Sequence, residues 1–188
     1  KTGTRTRWKP DLDVFTDIQI PDEFFHDILR RQAIVNPNLL FTYRSQSEDG
    51  SFSVREFRYE NGITDYVQEI VGDKAMTSIQ HWQCEKKGRD RADKPEYKVR
   101  INVALTFSNQ IKLTEYYHNS SFLEHGGSPE RAVRQAFVSQ IDSYLKQNSK
   151  YLKNESKITY ADIEDCLVLI SSGFSTQTSY ENQTKKAI

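Results

Sequence analysis

The sequence predicts an α+β protein, and three observations carry that prediction. Val99, Ile101, Val103, Leu105 and Phe107 alternate with Arg100, Asn102, Ala104 and Thr106, which is the period of a β-strand. Val133, Phe137, Ile141 and Tyr144 recur at spacings of four, four and three, which is the period of a helix with one apolar face. Between two strand-like runs, LLFTYRSQ and FSVREFRYE, stands SEDG with Gly50, a hairpin turn.

The remaining elements follow in order. TGTRTRW sets Thr4, Thr6 and Trp8 against Arg5, Arg7 and Lys9 and reads as a strand ended by Pro10 and Asp11. Residues 20–37 read as a helix. Acidic side chains in its first turn suit the macrodipole, Phe24, Phe25, Ile28 and Leu29 form the apolar stripe, and Pro37 stops it. NGITDYVQEIVGD reads as a short helix between Gly62 and Gly72. SIQHWQCEKK is a strand candidate. Residues 86–94 carry five basic and two acidic side chains, with Ala92 as the only apolar one, and read as a loop. After the strong strand, SNQ turns the chain into IKLTEYYH as a second hairpin, and NSSFLEHGGS is an irregular loop. Ser128 is placed as N-cap and Pro129 as first residue of the long helix. Thr159 and Asp162 form a capping box for a short helix, CLVLIS is a strand, and STQTSYENQTKKAI leaves it. Two units result, residues 1–72 and 73–188, each with antiparallel hairpins and helices on one face.

Composition excludes several classes. With 36% apolar and 28% charged residues the chain suits a soluble globular protein with a core. A formal net charge of zero leaves no global field for a polyanion, so any such contact rests on local patches. The longest clean apolar run, residues 166–170, is too short for a bilayer, so no membrane partner is expected. The four histidines show no metal-ligand spacing, and no metal site is assigned. Cys84 and Cys166 lie in strand-like runs and read as buried reduced thiols in a reducing compartment. No signal peptide is visible, and a start at Lys1 inside a strand-like run predicts a piece of a longer protein.

One stretch has chemistry of interest. In QTKK, Lys185 is a mobile point charge with three donors, Gln183 offers an amide and Thr184 a hydroxyl. A lysine about 4 Å from one phosphate charge is worth about 4 kcal/mol at an effective dielectric near 20. Composition alone favours a solvated tail. Gly126 and Gly127 before a helix resemble a phosphate cradle, but Pro129 and the lack of a following Gly-Lys-Ser/Thr argue for a plain loop-to-helix transition. The basic sets Arg5, Arg7, Lys9 and Lys86, Lys87, Arg89, Arg91, Lys94 read as solvated faces on a neutral chain. No Ser-His-Asp or Cys-His arrangement can be nominated.

KTGTRTRWKPDLDVF, YENGITDYV, HGGSPERAVRQAF, DIEDCLVLIS and NQTKKA occur in one order over essentially the whole chain. Together they resemble the ATPase subunit of bacterial type IIA DNA topoisomerases, the B subunit of gyrase or its topoisomerase IV counterpart. The resemblance implies that residues 1–72 are the C-terminal portion of a GHKL-type ATPase domain. It implies that residues 73–188 are a ribosomal-protein-S5-like transducer, incomplete at its C-terminus. It places Thr4 at the adenine end of the nucleotide pocket. It makes Gln183, Thr184 and Lys185 a loop reaching that pocket, with Lys185 on the γ-phosphate as the catalytic cation. It sets Arg134 toward captured double-stranded DNA.

The implied cofactors are ATP and Mg2+, with the magnesium ligands outside this chain. The implied partners are DNA, a topoisomerase A-type subunit and a second copy of the ATPase subunit, in the cytoplasm. The full subunit would be an ATP-hydrolysing topoisomerase that couples the nucleotide to strand passage, and this stretch alone would be inactive. Gly126-Gly127-Ser128-Pro129 departs from the family's Gly-Gly-Thr-His, and the loop after Cys84 is long, so gyrase and topoisomerase IV both stay open. A MutL-like repair ATPase and a non-enzymatic S5-like nucleic-acid-binding module are the alternatives.

Overall fold

The structure is a computed structural model that describes residues 2–89, 91–180 and 185–188. Its first half holds α1 (Asp22–Val35), the hairpin β1 (Phe41–Gln46) and β2 (Phe52–Phe57), and α2 (Ile63–Val71). Then come β3 (Gln80–Gly88), β4 (Tyr97–Phe107), β5 (Leu113–His118) and β6 (Ser121–Phe122). The chain continues through α3 (Ser128–Gln147), α4 (Tyr160–Glu164) and β7 (Leu167–Ser175). The first hairpin, both early helices, the long helix and the Thr159/Asp162 capping box form as the sequence predicts.

β7 decides the architecture. Leu167, Val168, Leu169 and Ile170 are completely buried, so the first half of this strand has no solvent face. A continuous apolar run belongs in the middle of a sheet covered on both sides, and each such side chain contributes about 1.5–3 kcal/mol. The five-stranded sheet accordingly has the order β3-β4-β7-β5-β6. β7 pairs antiparallel with β4 and parallel with β5. The expected second hairpin does not form: residues 108–112 carry the chain past the position β7 fills, and the Ser108 amide donates to the Cys166 carbonyl at 2.8 Å.

Alternation along the strands then makes two cores. On one face Ala104, Tyr117, Val168 and Ile170 pack with Ile34 of α1, with Ile63, Val67 and Val71 of α2, and with Phe57 and Tyr59. On the other, Leu105, Tyr116, Leu167 and Leu169 pack with Val133, Phe137 and Ile141 of α3 and Ile163 of α4. Helices therefore cover both faces, not one. The first core joins side chains from either side of residue 72. The connection is also pinned, since Thr106 Oγ1 donates to the Thr77 carbonyl at 2.7 Å and the Met76 amide to the Phe107 carbonyl at 2.7 Å.

Other expectations are corrected. The described residues before α1 form no strand, because no neighbouring strand supplies the ladder that extended backbone needs, and Trp8 is exposed. α1 buries Ala33 and Ile34, while Phe24 and Ile28 face outward. Lys86 and Lys87 belong to β3, paired with Val99 and Lys98, so the basic loop is shorter than expected. Ser128 is the first residue of α3, not its cap; Gly127 is the cap, with φ of 104°. Tyr144 is exposed although it continues the helical spacing, and Val138 packs on the core with Val133, Phe137 and Ile141 instead. Cys84 is exposed, since β3 is the sheet edge and no helix covers its outer end, and Cys166 is half-buried; both thiols are free.

Candidate functional site

β7 delivers the chain to a short segment, residues 176–180, that is tied to the end of β5. Asn119 brackets the exit: its Oδ1 accepts from the Ser175 amide at 3.0 Å and its Nδ2 donates to the Ser175 carbonyl at 3.1 Å. Asn119 and Ser120 both have positive φ, which turns β5 sharply into β6 and aims the Asn119 amide back at β7. His118 Nε2 and Thr178 Oγ1 share a hydrogen bond of 2.7 Å, and the Tyr180 hydroxyl donates to the His118 carbonyl at 3.3 Å. Burial holds the His118 imidazole below its ordinary pKa.

Gln183 and Thr184 lie outside the described residues. Lys185 is exposed, at φ of 57°, with its Nζ 5.4 Å from the centre of the Tyr180 ring. It has no carboxylate partner among the described residues. Lys186 differs: its Nζ pairs with Glu124, and that hydrogen bond holds the Glu124 carboxyl below the usual range. Beyond it, Ala187 is buried, Ile188 joins the second core, and the Ser128 amide donates to the Ile188 carbonyl at 2.7 Å. Of the adjacent lysines, then, one is committed to a carboxylate and one presents its charge.

The other predicted residues are not gathered with Lys185. Thr4 is exposed in the irregular stretch before α1. Arg134, on α3, is tied down: Nε donates to Glu130 Oε1 at 2.9 Å, Glu164 lies 3.9 Å away, and the guanidinium sits 4.4 Å over Tyr160. Arg131, three residues earlier, is exposed and has no side-chain partner among the described residues. No group of three His, Cys, Asp or Glu among the described residues could hold a metal ion. A polar cavity of about 490 Å3 lies elsewhere, between the α1 C-terminus and the sheet. The side-chain amides of Asn36, Asn38 and Asn119 in its wall donate to backbone carbonyls.

Residue reasoning missed His118, Asn119 and Glu124 as holders of the lysine-bearing segment. The sequence signal was present only as the polar Asn-Ser pair and the Gly-Gly pair within one loop.

This mixed α/β fold is similar to that of solved topoisomerase structures. The fold matches the gyrase B protein of Myxococcus xanthus with a TM-score of 0.68 at 14% identity, over 95% of this chain and 47% of that one. It matches the Francisella tularensis topoisomerase IV ATP binding domain with a TM-score of 0.61 at 18% identity, over 95% of this chain and 45% of that one. Residues 62–188 match the DNA gyrase B family model, and the chain belongs to that family. The DNA gyrase B protein of Mycoplasmoides gallisepticum is 24% identical over 98% of this chain. The chain spans 29% of that relative's length. Among the described residues no helix is long and apolar enough to cross a membrane.

Proposed function

We propose that this chain is part of the ATPase subunit of a type IIA DNA topoisomerase, with Lys185 as the cation that contacts the γ-phosphate of ATP. The observation that supports this reading most is the asymmetry of the two lysines: among the described residues Lys185 has no carboxylate partner and rests over the Tyr180 ring, whereas Lys186 is paired with Glu124. An ammonium held weakly over an aromatic ring is ready to move to a stronger charge. Gln183 and Thr184 add an amide and a hydroxyl beside it, and Thr4 takes the adenine end. When bound, ATP supplies the hydrolysable phosphoryl group and Mg2+ neutralises its charge. In this reading the magnesium ligands lie in another part of the subunit.

In this reading residues 1–72 close the GHKL-type ATPase domain and residues 73–188 form the S5-like transducer. Contact between Lys185 and the γ-phosphate favours the docked state of the two, and hydrolysis releases it, which couples the nucleotide to strand passage. The full-length subunit dimerises, works with an A-type subunit in the cytoplasm and holds double-stranded DNA against α3. There Arg134 meets phosphates once it leaves Glu130, and Arg131, without a side-chain partner among the described residues, adds a charge on the same face. The experiment is nucleotide binding by the full-length subunit, comparing a non-hydrolysable ATP analogue with ADP. Lys185→Ala should remove about tenfold or more of the preference for the triphosphate. An unchanged preference contradicts the reading.

A further inference from the structure

We propose that residues 124–128 are a latch that positions Lys185: Glu124 and the Gly126–Gly127 turn hold the residues that follow the lysine. The setting of its ammonium then depends on the start of α3. This inference rests on the phosphate-contacting role of Lys185 given above, and adds residues that act through it.

Three contacts make the latch. Glu124 pairs with Lys186. The His125 amide donates to the Lys186 carbonyl at 3.0 Å, and the Ser128 amide donates to the Ile188 carbonyl at 2.7 Å. The two backbone bonds reach alternate residues, as an extended segment docked on a loop requires, and Ala187 between them is turned inward and buried. Glycine at position 127 is a condition of this docking. A Cβ there would run into the Ile188 carbonyl oxygen and lie 2.9 Å from the Ile188 nitrogen, and the φ of 104° is one that residues with side chains avoid. A Cβ on Gly126 would meet the Glu130 side chain first, whose carboxylate can swing away while its Cβ, 3.0 Å off, cannot, and the φ of 63° adds strain there as well; no backbone atom is among its nearest contacts, as it is at Gly127.

The consequence falls on Lys185. Its left-handed φ of 57° is uncommon for lysine, so the conformation needs neighbours that impose it. Residues 186–188, fixed from 124–128, do so on one side, and the Tyr180 ring receives the ammonium on the other. The same pairing gives Lys186 a carboxylate that it would have to leave before serving as a second phosphate cation. Glu124 and Gly127 are thus positioning residues, and α3, which carries Arg131 and Arg134, is joined to the lysine through one short loop.

The test is charge exchange in the full-length subunit: Glu124→Lys, Lys186→Glu and the double variant. The readouts are kcat and KM for ATP, and hydrogen exchange at the His125 and Ser128 amides. Each single reversal should lower kcat about threefold or more with KM little changed, because a half-exposed ion pair is modest and its reversal adds repulsion. Each should also speed exchange at both amides, and the double variant should restore both readouts. Gly127→Ala should lower kcat more than Gly126→Ala. Unchanged kcat and exchange in the single variants, or a double variant no better than the singles, overturns the latch. If Lys185→Ala leaves turnover unchanged, the phosphate role falls. Exchange at His125 and Ser128 then decides the latch alone: protection lost in the singles and regained in the double supports it, and equal exchange in all four proteins overturns it.

Discussion

Lys185 rests its ammonium on Tyr180, with Nζ 5.4 Å from the ring centre. The face of the ring carries the negative lobe of its quadrupole and attracts a cation by about 0.5–1 kcal/mol at an exposed site. That is well below the attraction of a phosphate at close range, so the ring serves as a resting place and gives the lysine up when an anion arrives.

Tyr180→Phe should therefore be nearly neutral, since it keeps the ring and loses only the 3.3 Å bond to the His118 carbonyl. Tyr180→Ala should lower the melting temperature by about 2–4 °C, as the loss of about 1 kcal/mol does in a chain of this size. Thermal melts of the two variants check this, and equal losses would assign the stabilisation to the hydroxyl.

The His118 ring is buried against Thr178 and Tyr180, and burial lowers its pKa in the folded protein. The unfolded chain takes up that proton near pH 6.5, so below that value it binds more protons than the folded one. Stability should fall as pH drops from about 6.5 toward the depressed folded pKa, and His118 should contribute no slope above about pH 7. His118→Gln should remove that part of the slope in denaturant titrations between pH 5 and 7. An unchanged slope would contradict the burial argument.

Asp142 is the one buried residue of α3, and it is charged. Lys146 donates to it at 2.8 Å, Tyr151 at 2.9 Å, and Lys157 lies 3.4 Å away, so its carboxyl titrates below the usual range. A depressed carboxylate contributes stability above its unfolded pKa of about 3.9 that is lost as pH falls through the folded one. Asp142→Asn should lower the melting temperature at neutral pH and flatten the acid loss below about pH 4. Equal acid sensitivity in variant and wild type would show that the cluster does not form in solution.

Leu169 is the third residue of β7, completely buried and facing α3 and α4. Leu169→Ala should cost about 2–5 kcal/mol by lost transfer energy and a cavity. Equilibrium unfolding measures it. A cost near zero would mean that β7 is not the central strand.

Much of this fold was legible because its signals are local. The SEDG hairpin, the α3 period and the Thr159/Asp162 box each need only neighbouring residues, and each formed. The position of β7 is non-local. CLVLIS shows no alternation, and that lack of a polar face was the clue to a central strand; reading it as one more strand of a hairpin stack missed the parallel pairing with β5. The N-terminal stretch failed for a related reason, since alternation states which faces a strand would have but not whether a partner exists. At the site, the charge of Lys185 was legible and its neighbours were not. Glu124 and His118 lie some sixty residues away in the chain, and only the sheet order brings them near. Cys84 was misplaced because an edge strand and a central strand share the same local pattern.

The steady-state ATPase rate of Lys185→Ala and Lys186→Ala in the full-length subunit tests the central claim most directly, with melting temperatures as fold controls. Removing one preorganised cation from a developing phosphoryl charge costs about 2–4 kcal/mol, so Lys185→Ala should lose about 30-fold to 1000-fold in turnover while keeping its fold. Lys186→Ala breaks only a half-exposed pair with Glu124 and should lose about fivefold at most. Near-wild-type turnover for Lys185→Ala, or equal losses for the two variants, would contradict the account.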